Sequence, residues 1–194
     1  MLEQRIQQQF FDSADLLYQT AETLSRPIAE AAQALVGALT AGGKVLACGC
    51  GAAAPLAPHF ASAFVGRHER ERPPLAALAL PVDAAMAATP MAEQIYAQQV
   101  RALGQPGDAL LLFEASADDA EVALAAVRAA QDKEMTVVAV VGQGASVWRE
   151  TLADTDVLVA VPHERRSRIV EMQMIILHSL CDAVDLQLMG EQDP

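Results

Sequence analysis

Basic residues are scarce in this chain: thirteen Lys and Arg stand against twenty-five Asp and Glu, a formal net charge of −12. Such a surface repels nucleic-acid phosphates and anionic lipid alike, which excludes direct DNA binding and membrane-surface roles while leaving a protein partner open. Aromatics are scarce too, at 4% within a 53% hydrophobic composition, a balance that favours close helix packing through Ala, Leu and Val. Only three cysteines occur. Cys48 and Cys50 form one Cys-x-Cys pair with no second pair to complete a tetrahedral zinc site, and with Cys181 they make no disulfide framework. Apolar runs stop well short of the roughly 20 residues of a membrane span. The polar, helical start of the chain carries no basic-apolar-small signal pattern, so a cytoplasmic location is expected. At 194 residues the chain is expected to be one domain, with 1–42 a helical extension and 43–194 an α/β core.

What is present begins with residues 44–60, Lys44-Val45-Leu46-Ala47-Cys48-Gly49-Cys50-Gly51-Ala52-Ala53-Ala54-Pro55-Leu56-Ala57-Pro58-His59-Phe60. The order is a short apolar strand, a glycine-bearing turn and a helix start, the place where α/β proteins meet their ligands. Before it, apolar residues at Ile6, Phe10, Leu17, Ala21 and Leu24 trace one amphipathic helix. Ser25 as N-cap, Pro27 in a first turn and Gly42-Gly43 as a stop predict a second, carrying Ile28, Leu35 and Leu39 inward. After the turn, apolar segments near 75–80, 109–113, 136–141 and 157–161 alternate with helical periodicity near 91–103, 118–133 and 146–152. A long final helix spans 166–189, apolar on most sides but interrupted by Glu171, Asp182 and Asp185. Five short strands with helical crossovers predict a three-layer α/β fold, a parallel sheet covered by helices on both faces.

Gly49-Cys50-Gly51-Ala52-Ala53-Ala54 also fits the Gly-x-Gly-x-x-Ala dinucleotide fingerprint. The acid expected about 20 residues on is missing, because the second strand ends at Leu80 and Asp83 comes too late. In the loop after the third strand, Glu114-Ala115-Ser116-Ala117-Asp118-Asp119 offers one hydroxyl among three carboxylates. Asp118 as N-cap with Glu121 three residues on reads as a capping box. The same acids also leave room for a new site that would repel a phosphate.

Several stretches together resemble the sugar isomerase (SIS) domain, in the branch that contains phosphoheptose isomerase and the DnaA initiator-associating protein DiaA. They are Gly43-Lys44-Val45-Leu46-Ala47-Cys48-Gly49, His59-Phe60-Ala61, Glu71-Arg72-Pro73, Gln99-Val100-Arg101-Ala102-Leu103-Gly104, Pro106-Gly107-Asp108, Arg168-Ile169, and Glu171-Met172 running on to His178 and Cys181-Asp182. The resemblance implies a SIS fold with a five-stranded flavodoxin-like sheet, two leading helices and a homotetramer packed through helices.

It also implies site positions. The phosphosugar loops fall on Gly49, Cys50, Gly51, Ala53, Glu114, Ser116 and Asp119. Isomerases of this branch usually carry asparagine and serine where Cys50 and Ala53 stand, and a serine–threonine cluster in the second loop. Their general-base glutamate falls on Ala63, and the other catalytic partner on His178. Of the family's zinc ligands only His59 and His178 remain, the glutamine position being Val170; Gln173 lies on another helix face. His68 and His163 carry no signal.

With half of a proton-transfer pair and a poor anion cradle, the expected function is a non-catalytic, DiaA-like homotetramer that binds DnaA and regulates replication initiation. Its catalytic His178 would be vestigial, no cofactor is expected, and Leu188 and Met189 are candidates for assembly or partner binding. The alternative is a zinc-dependent sedoheptulose 7-phosphate isomerase or a phosphosugar-binding regulator.

Overall fold

The computed structural model describes residues 1–82, 84–89, 91–142 and 145–191. Five strands, β1 (Val45–Gly49), β2 (Ala77–Ala79), β3 (Ala109–Glu114), β4 (Thr136–Val141) and β5 (Val157–Ala160), pair in the order β2-β1-β3-β4-β5. Every pairing is parallel. Buried β1, β3 and β4 are near-continuous Val, Leu and Ala, as a sheet covered on both faces requires. The order reverses between β1 and β3, so the crevice beyond their carboxyl ends is the ligand-binding position of a doubly wound sheet.

Helices α1 (Leu2–Thr40), α2 (Leu56–Val65) and α7 (Arg166–Met189) cover one face, and α4 (Ile95–Leu103), α5 (Ala120–Gln131) and α6 (Ala145–Thr151) the other; α3 (Ala84–Ala87) is a short connector. Strand periodicity sorts β3 between them: Leu111 and Phe113 face α1, α2 and α7, while Leu110 and Leu112 face α4 and α5. The three-layer fold is as expected, and α7 has the expected bounds. Among the described residues no helix is long and apolar enough to cross a membrane.

The leading segment differs: it is one helix, not two, and it runs straight through Pro27. Ser25 does not cap a new helix; its hydroxyl bonds back to the carbonyl of Ala21. Proline inside a helix costs about 3 kcal/mol. Burial of Leu24, Ala31, Ala32 and Leu35 in the core on both sides of the proline offsets that cost. The buried stripe starts only at Leu16, and Ile6, Phe10 and Ala21 face outward rather than inward.

One buried ion pair fastens α2 to α7. The Arg72 side chain is fully shut from solvent and donates from Nε to Asp185 Oδ1 at 2.5 Å. Its other nitrogens donate to the carbonyls of Phe64 at 2.8 Å, Ala63 at 2.7 Å and Pro73 at 3.2 Å. Ala63 and Phe64 lie in the last turn of α2, whose carbonyls have no partner inside the helix, so the guanidinium serves as its C-terminal cap. Replacing Arg72 by Met strands Asp185 and the Ala63 carbonyl together, while the Phe64 carbonyl keeps the Leu75 N–H at 2.9 Å. The expected loss, read from urea denaturation, is about 3–5 kcal/mol.

Candidate functional site

Two clusters of polar side chains collect on the α1–α2–α7 side and at the carboxyl ends of the strands. The first surrounds the loop after β1. Gly49 has Phe113 as its β3 partner, and a Cβ there would strike the carbonyl of Ala53, which keeps the turn tight. Gly51 has φ +52, and the Asp119 carboxylate lies where its Cβ would stand. The loops after β1 and β3 therefore touch, which closes the crevice between them. Cys50 and Ala53 are both buried. The Tyr96 hydroxyl donates to the carbonyl of Gly49 at 2.5 Å.

The loop after β3 is not capped as expected. Ser116 Oγ, not Asp118, accepts a backbone N–H, that of Asp118 at 3.3 Å, and Asp119 precedes α5 without a side-chain cap bond. The capping-box reading of Asp118 and Glu121 is thereby corrected: a short 3₁₀ turn over Ala117–Asp119 moves the start of α5 past Asp118. Arg166, at the start of α7, donates to Ser116 Oγ at 2.7 Å and to Asp118 Oδ2 at 3.1 Å. It brings a cation into a loop that the sequence presented as acidic. A legible signal existed: arginine in the first turn of a helix opposes the macrodipole unless an acid holds it there.

Glu114 is neither a cap nor exposed. It is 0% accessible at the end of β3, and burial, with the Asp119 carboxylate adding to it, holds its carboxyl above the ordinary glutamate range. Burial likewise pushes the Cys50 thiol up to about 12, helped by Asp119 and Glu114, and raises Cys48. Cys181 is pushed up to about 12 by burial and Asp185. All three thiols are protonated and unreactive at neutral pH.

The second cluster joins α2 to α7. His59 Nε2 and His178 Nε2 are 3.0 Å apart, with ring centroids at 5.3 Å. His68, from a connection without any sequence signal, stacks on His178 at 5.4 Å between centroids. Burial, then the neighbouring His59 and His68, lowers the His178 pKa, while Glu69 acts weakly the other way. His178 is thus a neutral imidazole at pH 7. Ala63 lies in α2 with its backbone carbonyl spent on Arg72. Gln173 is buried and donates to the carbonyls of Glu114 at 2.7 Å and Val140 at 2.9 Å, tying α7 to two strand ends.

Among the described residues no three His, Cys, Asp or Glu side chains are placed to hold a metal. With Ala63 and Val170 in the remaining positions, the residues present do not fit a zinc ion. Leu188 packs partly on the core and Met189 is exposed at the end of α7. Asp83, weighed in the dinucleotide reading, lies outside the described residues.

Comparison with known proteins places this arrangement. The SIS domain family matches residues 9–142. A relative named phosphoheptose isomerase, from Methylibium petroleiphilum, is 57% identical over 198 residues, covering 100% of this chain and 98% of its own. The solved phosphoheptose isomerase of Francisella tularensis superposes with a TM-score of 0.88 at 37% identity, over 95% of this chain and 98% of its own. Phosphoheptose isomerase GmhA from Neisseria gonorrhoeae gives 0.87 at 33% identity, over 95% and 99%.

These similarities overturn the expected non-catalytic, DnaA-binding role: relatives along the whole chain carry the isomerase name, and none of them points to initiator binding. Ala63 and Val170 are visible in the sequence, whereas the Arg166 contact with the loop and the facing imidazoles arise only in the fold. Replacing His59 by Asn removes one like charge from beside His178. Its midpoint, followed by NMR titration of the ring protons, should move up toward the ordinary histidine value, in part only, because burial is the larger cause.

Proposed function

The chain belongs to the SIS domain family, and from that footing we propose that it is a phosphosugar isomerase acting on a heptose phosphate such as sedoheptulose 7-phosphate. The observation that carries the reading is the His59–His178 pair, two imidazole nitrogens 3.0 Å apart between α2 and α7. Ketose–aldose isomerisation through an enediol needs a base at carbon and an acid at the adjacent oxygen. A neutral His178 can accept a proton, and a facing imidazole can donate one. Ala63 supplies no such group, so the pair carries both roles. Ser116 Oγ and the half-exposed Arg166 guanidinium are the groups suited to the phosphoryl oxygens.

Arg166 and His178 are twelve positions apart on α7, about 18 Å along its axis. A seven-carbon phosphate ester extends about 10 Å, at the 3.3–3.6 Å per three bonds of an extended chain. We therefore place the phosphate loop of one subunit against the histidines of another in a homotetramer. Support for assembly comes from the exposed Leu2, Ile6 and Phe10, one helical turn apart along α1, with Ile175 on α7. A phosphosugar-binding regulator is the second reading, favoured by Ala63.

Turnover of sedoheptulose 7-phosphate by the purified protein tests the first reading. His178→Asn should lower kcat by about 10²–10⁴-fold with little change in ligand affinity by calorimetry. Binding without turnover replaces the isomerase by the regulator; absence of both overturns the two together. Mixing Arg166→Ala with His178→Asn chains should restore part of the activity in hybrid tetramers. No recovery would place both clusters of a site in one subunit.

A further inference from the structure

Glu114 occupies an unusual position. It ends β3 at the point where the sheet order reverses, its side chain is 0% accessible, and neither carboxyl oxygen has a hydrogen-bond partner. Its backbone is fully engaged, the carbonyl accepting from Gln173 Nε2 at 2.7 Å and from the Gly142 N–H at 2.9 Å. The residue is anchored, yet its acid group is left unsatisfied. A buried polar group without a partner is costly, and a buried charge without one far more so.

The groups that face it come from four elements. From its own loop come the Ser116 N–H and the Asp119 carboxylate; from α6 the Trp148 indole; from α7 Arg166; and from the β1 loop the Cys50 thiol. The N–H and the indole are close without reaching hydrogen-bond geometry. Arg166, the only cation in this set, is already bonded to Ser116 Oγ and Asp118. Tyr96, next beyond Cys50, gives its proton to Gly49. No cation in this set is thus left to hydrogen-bond Glu114, and burial without a partner disfavours its charged form.

We propose that Glu114 is the proton-carrying determinant of anion affinity at this site: as the neutral acid it admits a phosphoryl group beside Ser116 and Arg166, and ionised it excludes that group. This rests on the phosphosugar reading above and names a control of the same site. A dianion arriving two residues away binds the Glu114 proton more tightly, and by reciprocity the proton strengthens ligand binding. Burial raises the carboxyl above its ordinary value and the Asp119 charge adds to this, while the Ser116 N–H, the Trp148 indole and Arg166 act the other way. Affinity should then fall as pH rises through the Glu114 midpoint. Glu114→Gln keeps the shape and has no proton to lose.

The experiment titrates the purified full-length protein and E114Q with inorganic phosphate and with sedoheptulose 7-phosphate by calorimetry, between about pH 5.5 and about pH 8.5. Ionisation of the ligands and of the histidines is common to both proteins and divides out of the affinity ratio. The ratio of variant to wild-type affinity should be near one at the acid end and grow by up to about tenfold per pH unit above the midpoint. A ratio independent of pH overturns the proposal while leaving the phosphosugar reading standing. Failure of both proteins to bind either probe at any pH overturns both. Should E114Q not fold, sulfate, which does not ionise in this range, serves as probe for the wild type in two buffers of different ionisation enthalpy. Proton uptake at the alkaline end supports the proposal, and none there overturns it.

Discussion

The ion pair between Arg72 and Asp185 is the fastening on which the geometry of the site depends. A single guanidinium, wholly buried, joins the carboxylate of α7 to the carbonyls at the end of α2. Because His59 stands on α2 and His178 on α7, the same bond that closes the helix end also sets the distance between the imidazoles. Desolvation of both charges is the cost, and four hydrogen bonds from one side chain are what offset it. At the other end of α7 the Gln173 amide holds the helix to β3 and β4. Helix α7 contributes to both polar clusters, with Arg166 in its first turn and His178 between these anchors.

The electrostatics of the two clusters differ in kind. Around the histidines burial disfavours charge on an imidazole and leaves a neutral base. Around the loops burial disfavours charge on an acid: it raises the Glu114 carboxyl and pushes the Cys50 thiol up to about 12. Counted as formal charges the loops look hostile to a phosphate. With the Arg166 guanidinium bonded to Ser116 and Asp118, they hold less net negative charge than the loop residues alone suggest.

The change in functional reading follows from this difference between composition and environment. Ala63 and Val170 stand at positions that the resemblance assigns to a base and a metal ligand, and neither side chain can supply such a group. What outweighs this lack is similarity along the whole chain to proteins named phosphoheptose isomerase, together with a histidine pair brought into contact across 119 positions. His68 and Arg166 complete their clusters from segments that carry no motif, and only packing shows where their side chains end.

From the sequence alone came the parallel sheet, the crossover helices, the bounds of α7 and the family, because strand burial, glycine turns and apolar periodicity are local and repeat along the chain. The glycine loop after β1 was legible for the same reason. Three things were decided only by tertiary structure. Helix α1 runs through Pro27 since core burial on both sides outweighs a local penalty. Ser116 rather than Asp118 meets the backbone, since a 3₁₀ turn shifts the helix start. Glu114, which read as a loop acid, is buried at a strand end, since strand β3 runs one residue past its apolar segment. Each depends on what a residue touches at long range, and free energy from such contacts leaves no mark in the local pattern.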